Sequence, residues 1–452
     1  PYRRQRQMCI RDSYKPFDDE NGSLQIRGGT GLFTGTPPYV WISNQAGNNG
    51  VLFGDLNVRA VKDKNDNIIS DGRPSLGFTG NMDTYKPAEG SATRSDIAIT
   101  DPDFKYPSLW KSNIAADYKF GDGWVATVEL LYSKDINAIY HDNIGLYRTE
   151  QFVNDGGAGN ARPYYNGYYS DREGNQKAAN HVVMLRNTSK GHSLYTTFQL
   201  QKNFVDGILK GLYLNGSYSF GQSRGVTDGT SSVATSAWKY RAALDGNAEE
   251  VGYTAGSFDG RLLLSASYTA NWSKYAATSF GLIYQRYRPF RYSYCYNGDA
   301  NGDSQFSNDL MYIPANFDEV KDHLLPGDFD SQEDAWKAMN AFIEQDPYLS
   351  KHRGEYAERN GAVAPFANQL DLSVSHDIKI YQKNGRSHTL RFSFNIANFL
   401  NLLNRNWGVV QTTVLGNQQY QFLTIPKGQG PSAANNYTLK YTMAKDLDET
   451  FK

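Results

Sequence analysis

The chain has 452 residues, with 46 Lys and Arg against 47 Asp and Glu, and the resulting net charge of -1 argues against a basic nucleic-acid surface. Only 39% of residues are hydrophobic, yet 14% are aromatic and 42 are glycine, so aromatics and glycine stand where a soluble domain carries leucine, and disorder is excluded. No apolar run approaches the about 20 residues a transmembrane helix needs, and the two cysteines, Cys9 and Cys295, exclude a disulfide framework.

Residues 1–13 carry four arginines without amphipathic spacing and lack the apolar core of a signal peptide. They read as a non-native, adapter-derived tail, the alternative being a short basic tail. Residues 14–110 read as loop with irregular strands. Beyond them the dominant signal is strict alternation of apolar and polar residues over ten or more positions. It predicts strands at Ser112–Phe120, Trp124–Lys134, Leu194–Phe204, Leu212–Gly221, Arg261–Trp272, Ala277–Tyr287, Leu370–Ile380 and Leu390–Asn398. In the seventh, Leu370, Leu372, Val374, Ile378 and Ile380 alternate with Asp371, Ser373, Ser375, Asp377 and Lys379.

The predicted strands pair into hairpins whose internal gaps are nine residues or fewer, whereas the gaps between hairpins are 39 or more. Short turns at one end and long loops at the other characterise outer-membrane barrels, and strands of this length suit a tilted membrane crossing. Phe120, Trp124, Phe204, Trp272 and Tyr275 gather at the short-turn end, as an interfacial aromatic girdle would. The competing reading is a large soluble β-protein with aromatic core corners. One helix is predicted in the longest loop: Ser331 and Asp334 form a capping-box-like start, and Trp336, Met339, Phe342 and Ile343 recur at helical spacing before Asp346-Pro347. The fold expected is thus all-β, a partial, open transmembrane antiparallel β-barrel of long hairpins, with one short helix in an extracellular loop.

Several segments resemble a known family: Arg27-Gly-Gly-Thr-Gly-Leu-Phe-Thr-Gly-Thr-Pro-Pro-Tyr-Val-Trp-Ile-Ser-Asn-Gln-Ala-Gly47, Asn297-Gly-Asp-Ala-Asn-Gly-Asp303, Asn308-Asp-Leu-Met-Tyr-Ile-Pro314, Tyr356-Ala-Glu-Arg-Asn-Gly361 and Asn395-Ile-Ala-Asn-Phe-Leu-Asn-Leu-Leu-Asn404. The chain is similar in these to the large TonB-dependent outer-membrane receptors of Bacteroidota, in their Oar-like branch beside the SusC-like transporters. The resemblance implies a plugged barrel of about 22 strands, energised through the TonB complex and importing or exporting a bulky nutrient or peptide. No plug or TonB-contact segment is recognisable here, so residues 111–452 read as an incomplete outer-membrane barrel with its final strand or strands missing. Outer-membrane lipid, TonB through the missing plug, and an unknown extracellular substrate or partner protein are the expected partners. An adhesin or scaffold, or a passive porin without energy coupling, is the alternative.

Asp299, Asn301, Asp303 and Asp309 place oxygen ligands at the 1, 3 and 5 positions of a calcium loop and beyond, but Leu310 occupies the position where a calcium-binding hand carries Glu. Either a Ca²⁺ sits in this extracellular loop or the segment is a polar turn. No cofactor is otherwise required. Tyr164, Tyr165, Tyr168 and Tyr169, with Arg288 and Arg291, offer flat rings for sugars and guanidiniums for carboxylates; the alternative is an outer aromatic belt with snorkelling arginines. Gly221-Gln-Ser223-Arg-Gly225 matches a hydrolase nucleophile elbow, but loop residues follow it where a helix is needed, so no enzyme is expected. The seven histidines show no paired ligand spacing.

Overall fold

The computed structural model describes residues 9–20, 22–36, 39–49, 61–62, 68–70, 80–81, 83–84, 96–157, 159, 161–169, 181–229, 231–381, 387–413, 419–445 and 447. Ten long strands form an antiparallel meander in which each strand pairs with the next: β1 (Cys9–Asp19), β2 (Gly22–Thr34), β3 (Ser108–Phe120), β4 (Trp124–Asp135), β5 (His192–Asn203), β6 (Leu212–Gly225), β7 (Arg261–Ser273), β8 (Ala276–Tyr287), β9 (Ala367–Tyr381) and β10 (Ser387–Ile396). The short pair Gly252–Tyr253 adds to the end of β6. Strands β1 and β10 are the two edges and do not pair with each other, so the sheet is an open one. All four hairpins expected from alternation are present, and β1–β2 is a fifth that includes residues 9–13.

Antiparallel succession puts the strand ends joined by short connections (20–21, 121–123, 204–211, 274–275, 382–386) at one end of the sheet and those joined by long ones (35–107, 136–191, 226–260, 288–366) at the other. The turn after β3 is tight because Gly121 and Gly123 both hold positive φ, 52° and 84°, which only glycine adopts freely. A twelve-residue strand such as β5 rises about 3.3 Å per residue, so at a tilt of about 40° it spans about 30 Å, the thickness of a bilayer's hydrocarbon core.

Register separates the sheet into two chemically distinct faces. Across one face the rows run Ile114–Leu130–Thr196–Phe220, Ala116–Val128–Phe198–Tyr218–Leu262, and Tyr268–Phe280–Val374–Phe394. These side chains are unusually open for their size, with Ile114 56%, Phe198 47%, Tyr218 45% and Phe394 65% exposed. The opposite face is polar and laced together: Arg27 with Asp117 (2.9 Å), Thr197 with Ser219 (2.9 Å), Gln199 with Asn215 (2.7 Å), Thr269 with Ser279 (3.0 Å) and Arg391 with Asp377 (2.6 Å). Asp371, Ser373, Ser375, Asp377 and Lys379 belong to this polar face. At the short-turn end Phe120 stacks on Trp124, and Lys202 lies over Trp124 and Phe204, so three of the expected girdle aromatics form one cluster.

The apolar core lies in a cap at the other end. Arg291–Asn297 is its central strand, pairing in parallel with Gln419–Thr424 and antiparallel with Ala362–Val363. Tyr292, Tyr294, Cys295 and Tyr296 on this strand are at most 1% exposed and pack with Leu310, Met311, Tyr420, Phe422 and Tyr441. Onto that core folds the helix Gln332–Gln345, started where the Ser331 hydroxyl accepts from the Asp334 N–H, and burying Ala335, Met339, Phe342 and Ile343. Trp336 sits at the rim against Phe317. The expectation of one helix is corrected: Tyr39–Gly47, Ala234–Lys239 and Phe399–Leu403 are helical as well, too short for a hydrophobic period to announce them. No helix among the described residues is long and apolar enough to cross a membrane.

Candidate metal centre and cap cavity

The loop that follows strand Arg291–Asn297 is closed by a hydrogen bond from the Gly298 N–H to the Phe306 carbonyl (2.9 Å). Alternating acidic and amide side chains fold it locally, because each short side chain caps backbone N–H groups just ahead. Asp299 accepts from the N–H groups of Gly302 (2.6 Å) and Ser304 (2.8 Å), Asn301 from Asp303 (2.9 Å), and Asp303 from Gln305 (2.8 Å). Asp309 returns to the loop and accepts from the Ala300 N–H (2.9 Å). The result is that carboxylate oxygens of Asp299, Asp303 and Asp309 all lie within 4.8 Å of one another, the one such cluster among the described residues.

Three carboxylates at this spacing, two of them essentially buried, are strongly coupled. Burial pushes Asp303 well above the ordinary carboxylate range, and Asp309 and Asp299 raise it further. Burial likewise lifts Asp309, to about 7, although the Arg162 guanidinium opposes the rise. Arg162 is fully buried, bonding Asp155 (3.0 Å), Asp309 (3.1 Å) and the Leu310 carbonyl. Gln305 Oε1 and Asn308 Oδ1 in the same loop are buried with no hydrogen-bond partner among the described residues. Asp299, Asp303 and Asp309 thus lie together, with Asn301 bonded to Asp303 in the same loop, and the spacing carried no sign of Arg162, Gln305 or Asn308.

Of the expected substrate contacts, the structure encloses Tyr164, Tyr165, Tyr168 and Arg291 in the cap. Tyr165 is 1% exposed and donates to Asp245 (2.7 Å); Tyr164 packs on Tyr437 and Tyr168 on His181, both inside the cap. Only Tyr169 is open, at 51%. Arg288 stacks on Phe366 and donates to the Ala364 carbonyl (2.8 Å), while buried Arg291 joins Asp259, Ser257 and Asn360 beneath Tyr253. Tyrosine and arginine fill these places because a cap poor in aliphatics uses long amphipathic side chains as core and ties. Ser223 lies within β6 opposite Ser193 of β5, and its N–H donates to the Ser257 hydroxyl (3.0 Å), so it sits in a paired strand and not at a strand-to-helix elbow.

Beside the loop the cap holds a half-open cavity of about 640 Å³, lined by Asp228, Tyr240, Arg241, Arg359, Asn360 and Gln419 among others. Arg241 and Arg359 are each 5% exposed and bond backbone carbonyls, both reaching Val226, rather than a carboxylate. Burial, and next the charge of Arg359, lowers Arg241 to about 10. Nothing local in the sequence marks this pair, since 117 residues of chain separate segments that meet only in the fold.

No family model and no curated protein matches the sequence. Among solved structures the chain is similar to the FrpB iron transporter of Neisseria meningitidis, at 7% identity and a TM-score of 0.32, over 86% of this chain and 41% of that one. It is similar to a variant of the ferric enterobactin receptor PfeA of Pseudomonas aeruginosa at 8% identity and a TM-score of 0.32, over 86% of this chain and 36% of the receptor. The chain therefore spans well under half the length of these structures.

Proposed function

We propose that the chain forms barrel wall and outer cap of an outer-membrane transporter of the TonB-dependent receptor type, moving a bulky nutrient or peptide. The observation that supports this reading is the two-faced meander: an apolar face left open across ten strands, backed by a hydrogen-bonded polar face. In water such a surface would be far larger than the few hundred Å² of contiguous apolar area a soluble monomer tolerates, whereas lipid covers it without cost. The polar face then lines a wet lumen, and the cap covers its outer mouth. The Oar-like resemblance supplies energy coupling and cargo class.

Cells producing the whole protein test it. Single cysteines at Phe198 and Gln199 should report opposite environments, the first quenched by a lipid-phase quencher and the second by an aqueous one. Cargo uptake should cease when TonB is deleted; uptake that continues would show a passive porin, and a cysteine pair with equal quenching would remove the membrane assignment.

A further inference from the structure

The loop 299–309 gathers carboxyl groups whose ionisation its protein surroundings do not balance. Asp155, Asp299, Asp303 and Asp309 contribute four carboxylates to one buried neighbourhood, and among the described residues Arg162 is the one guanidinium in ion-pair contact with any of them. The backbone N–H groups that wrap Asp299, Asp303 and Asp309 orient the carboxylates but bring no net charge. A buried, uncompensated group of this kind is costly, and a divalent cation is what reverses the sign of its mutual repulsion.

A second observation is independent of the acidic cluster. Gln305 and Asn308 are each 2% exposed, and their amide oxygens meet no donor among the described residues. Buried amide oxygens are ordinarily satisfied, so two unsatisfied ones in a single loop call for a positive partner. We propose that this loop is a calcium site, with Asp299, Asn301, Asp303 and Asp309 as ligands and the Gln305 and Asn308 oxygens completing the shell. Six oxygens of mixed carboxylate and amide character meet the lower bound of the 6 to 8 that Ca²⁺ takes, while Mg²⁺, which keeps several waters, fits poorly where Asp303 and Asp309 are at most 1% exposed.

The site joins two of the long connections. The Tyr165 N–H donates to the Asn301 carbonyl (2.7 Å), and a Cβ on Gly302 would touch the Tyr164 ring (2.8 Å), so the loop is seated against the segment between β4 and β5. Calcium there clips one connection to the other. The same ring is close enough to sensitise a bound lanthanide.

The full chain, refolded in detergent and stripped with chelator, is titrated with Tb³⁺ under aromatic excitation and then with Ca²⁺ alone by calorimetry. One saturable site is expected, displaced by Ca²⁺ and not by equimolar Mg²⁺. Asp303→Asn should weaken binding at least tenfold, and Asp318→Asn, on an exposed carboxylate elsewhere in the cap, should leave it unchanged. Should Asp303→Asn fail to fold, Gln305→Met decides: it removes an unsatisfied oxygen, so it should keep or raise the thermal midpoint in chelator while reducing the midpoint's rise with Ca²⁺. No saturable site, equal displacement by Mg²⁺, or unchanged binding in both loop variants would overturn the proposal.

Discussion

Phe198→Arg is the sharpest probe of the two-faced sheet. Phe198 is central in β5, flanked in register by Val128 on β4 and Tyr218 on β6, which are 44% and 45% exposed on the same face. An arginine facing lipid near the midplane costs about 2 to 4 kcal/mol, or about 30- to 700-fold in the assembly equilibrium. One residue earlier the outcome reverses. Thr197 faces Glu129 and Ser219 on the polar side, so Thr197→Arg gives up one hydroxyl hydrogen bond, about 1 kcal/mol, and gains a carboxylate opposite. Urea titration of the whole protein in liposomes, read by intrinsic fluorescence, measures both. Phe198→Arg should lose at least 2 kcal/mol more than Thr197→Arg; equal losses, or the reverse order, would refute the facing of every strand, because register fixes all ten together.

Gly123→Ala should cost about 1 kcal/mol or more in the same titration, since its Cβ would stand 3.1 Å from the Asn203 carbonyl oxygen at a φ of 84°. Arg162→Met leaves Asp155 and Asp309 buried without their cation and should destabilise the cap by about 3 to 5 kcal/mol, read as lost hydrogen-exchange protection in strand Arg291–Asn297 with β1 to β10 unaffected. Phe342→Ala should cost about 3 to 5 kcal/mol by the same readout, as it empties a fully packed site between Tyr420 and Phe422. In chelator, cap stability should fall as pH rises from 6.5 to 8: the folded state holds Asp303 and Asp309 protonated above their unfolded values, and that contribution is lost as pH passes the folded values. His141 and His181, kept neutral by burial, act with the opposite sign but only below about 6.5. A thermal midpoint that rises over the interval from 6.5 to 8 would contradict this account.

Four hairpins were legible because one face of each strand is apolar and the other polar, so that a period of two survives in the sequence. The β1–β2 hairpin was not. Gly28, Gly29 and Gly31 dilute the period in β2, and β1 carries Pro16 beside a register shift between Tyr14 and Phe17. The cap hid itself differently: Arg291–Tyr296 is buried on both faces, so nothing alternates, and its aromatic hydroxyls look like surface chemistry until the fold encloses them. The acidic loop was half legible, since spacing reveals Asp299, Asn301, Asp303 and Asp309, whereas Arg162 arrives from 147 residues away.

The central cap pairing also orders assembly. Asn297 and Thr424 meet across 127 residues, and the intervening chain contains all of β9 and β10. The cap sheet therefore closes more readily once that edge hairpin has docked, because loop closure over so long a span is slower until the ends are already held near each other. Once closed, it acts as a latch: the edge hairpin is fastened along β9 by hydrogen bonds to β8, and the chain on either side of it is tied into the tyrosine-rich cap core, so unzipping the long sheet from that side would first have to tear the cap open.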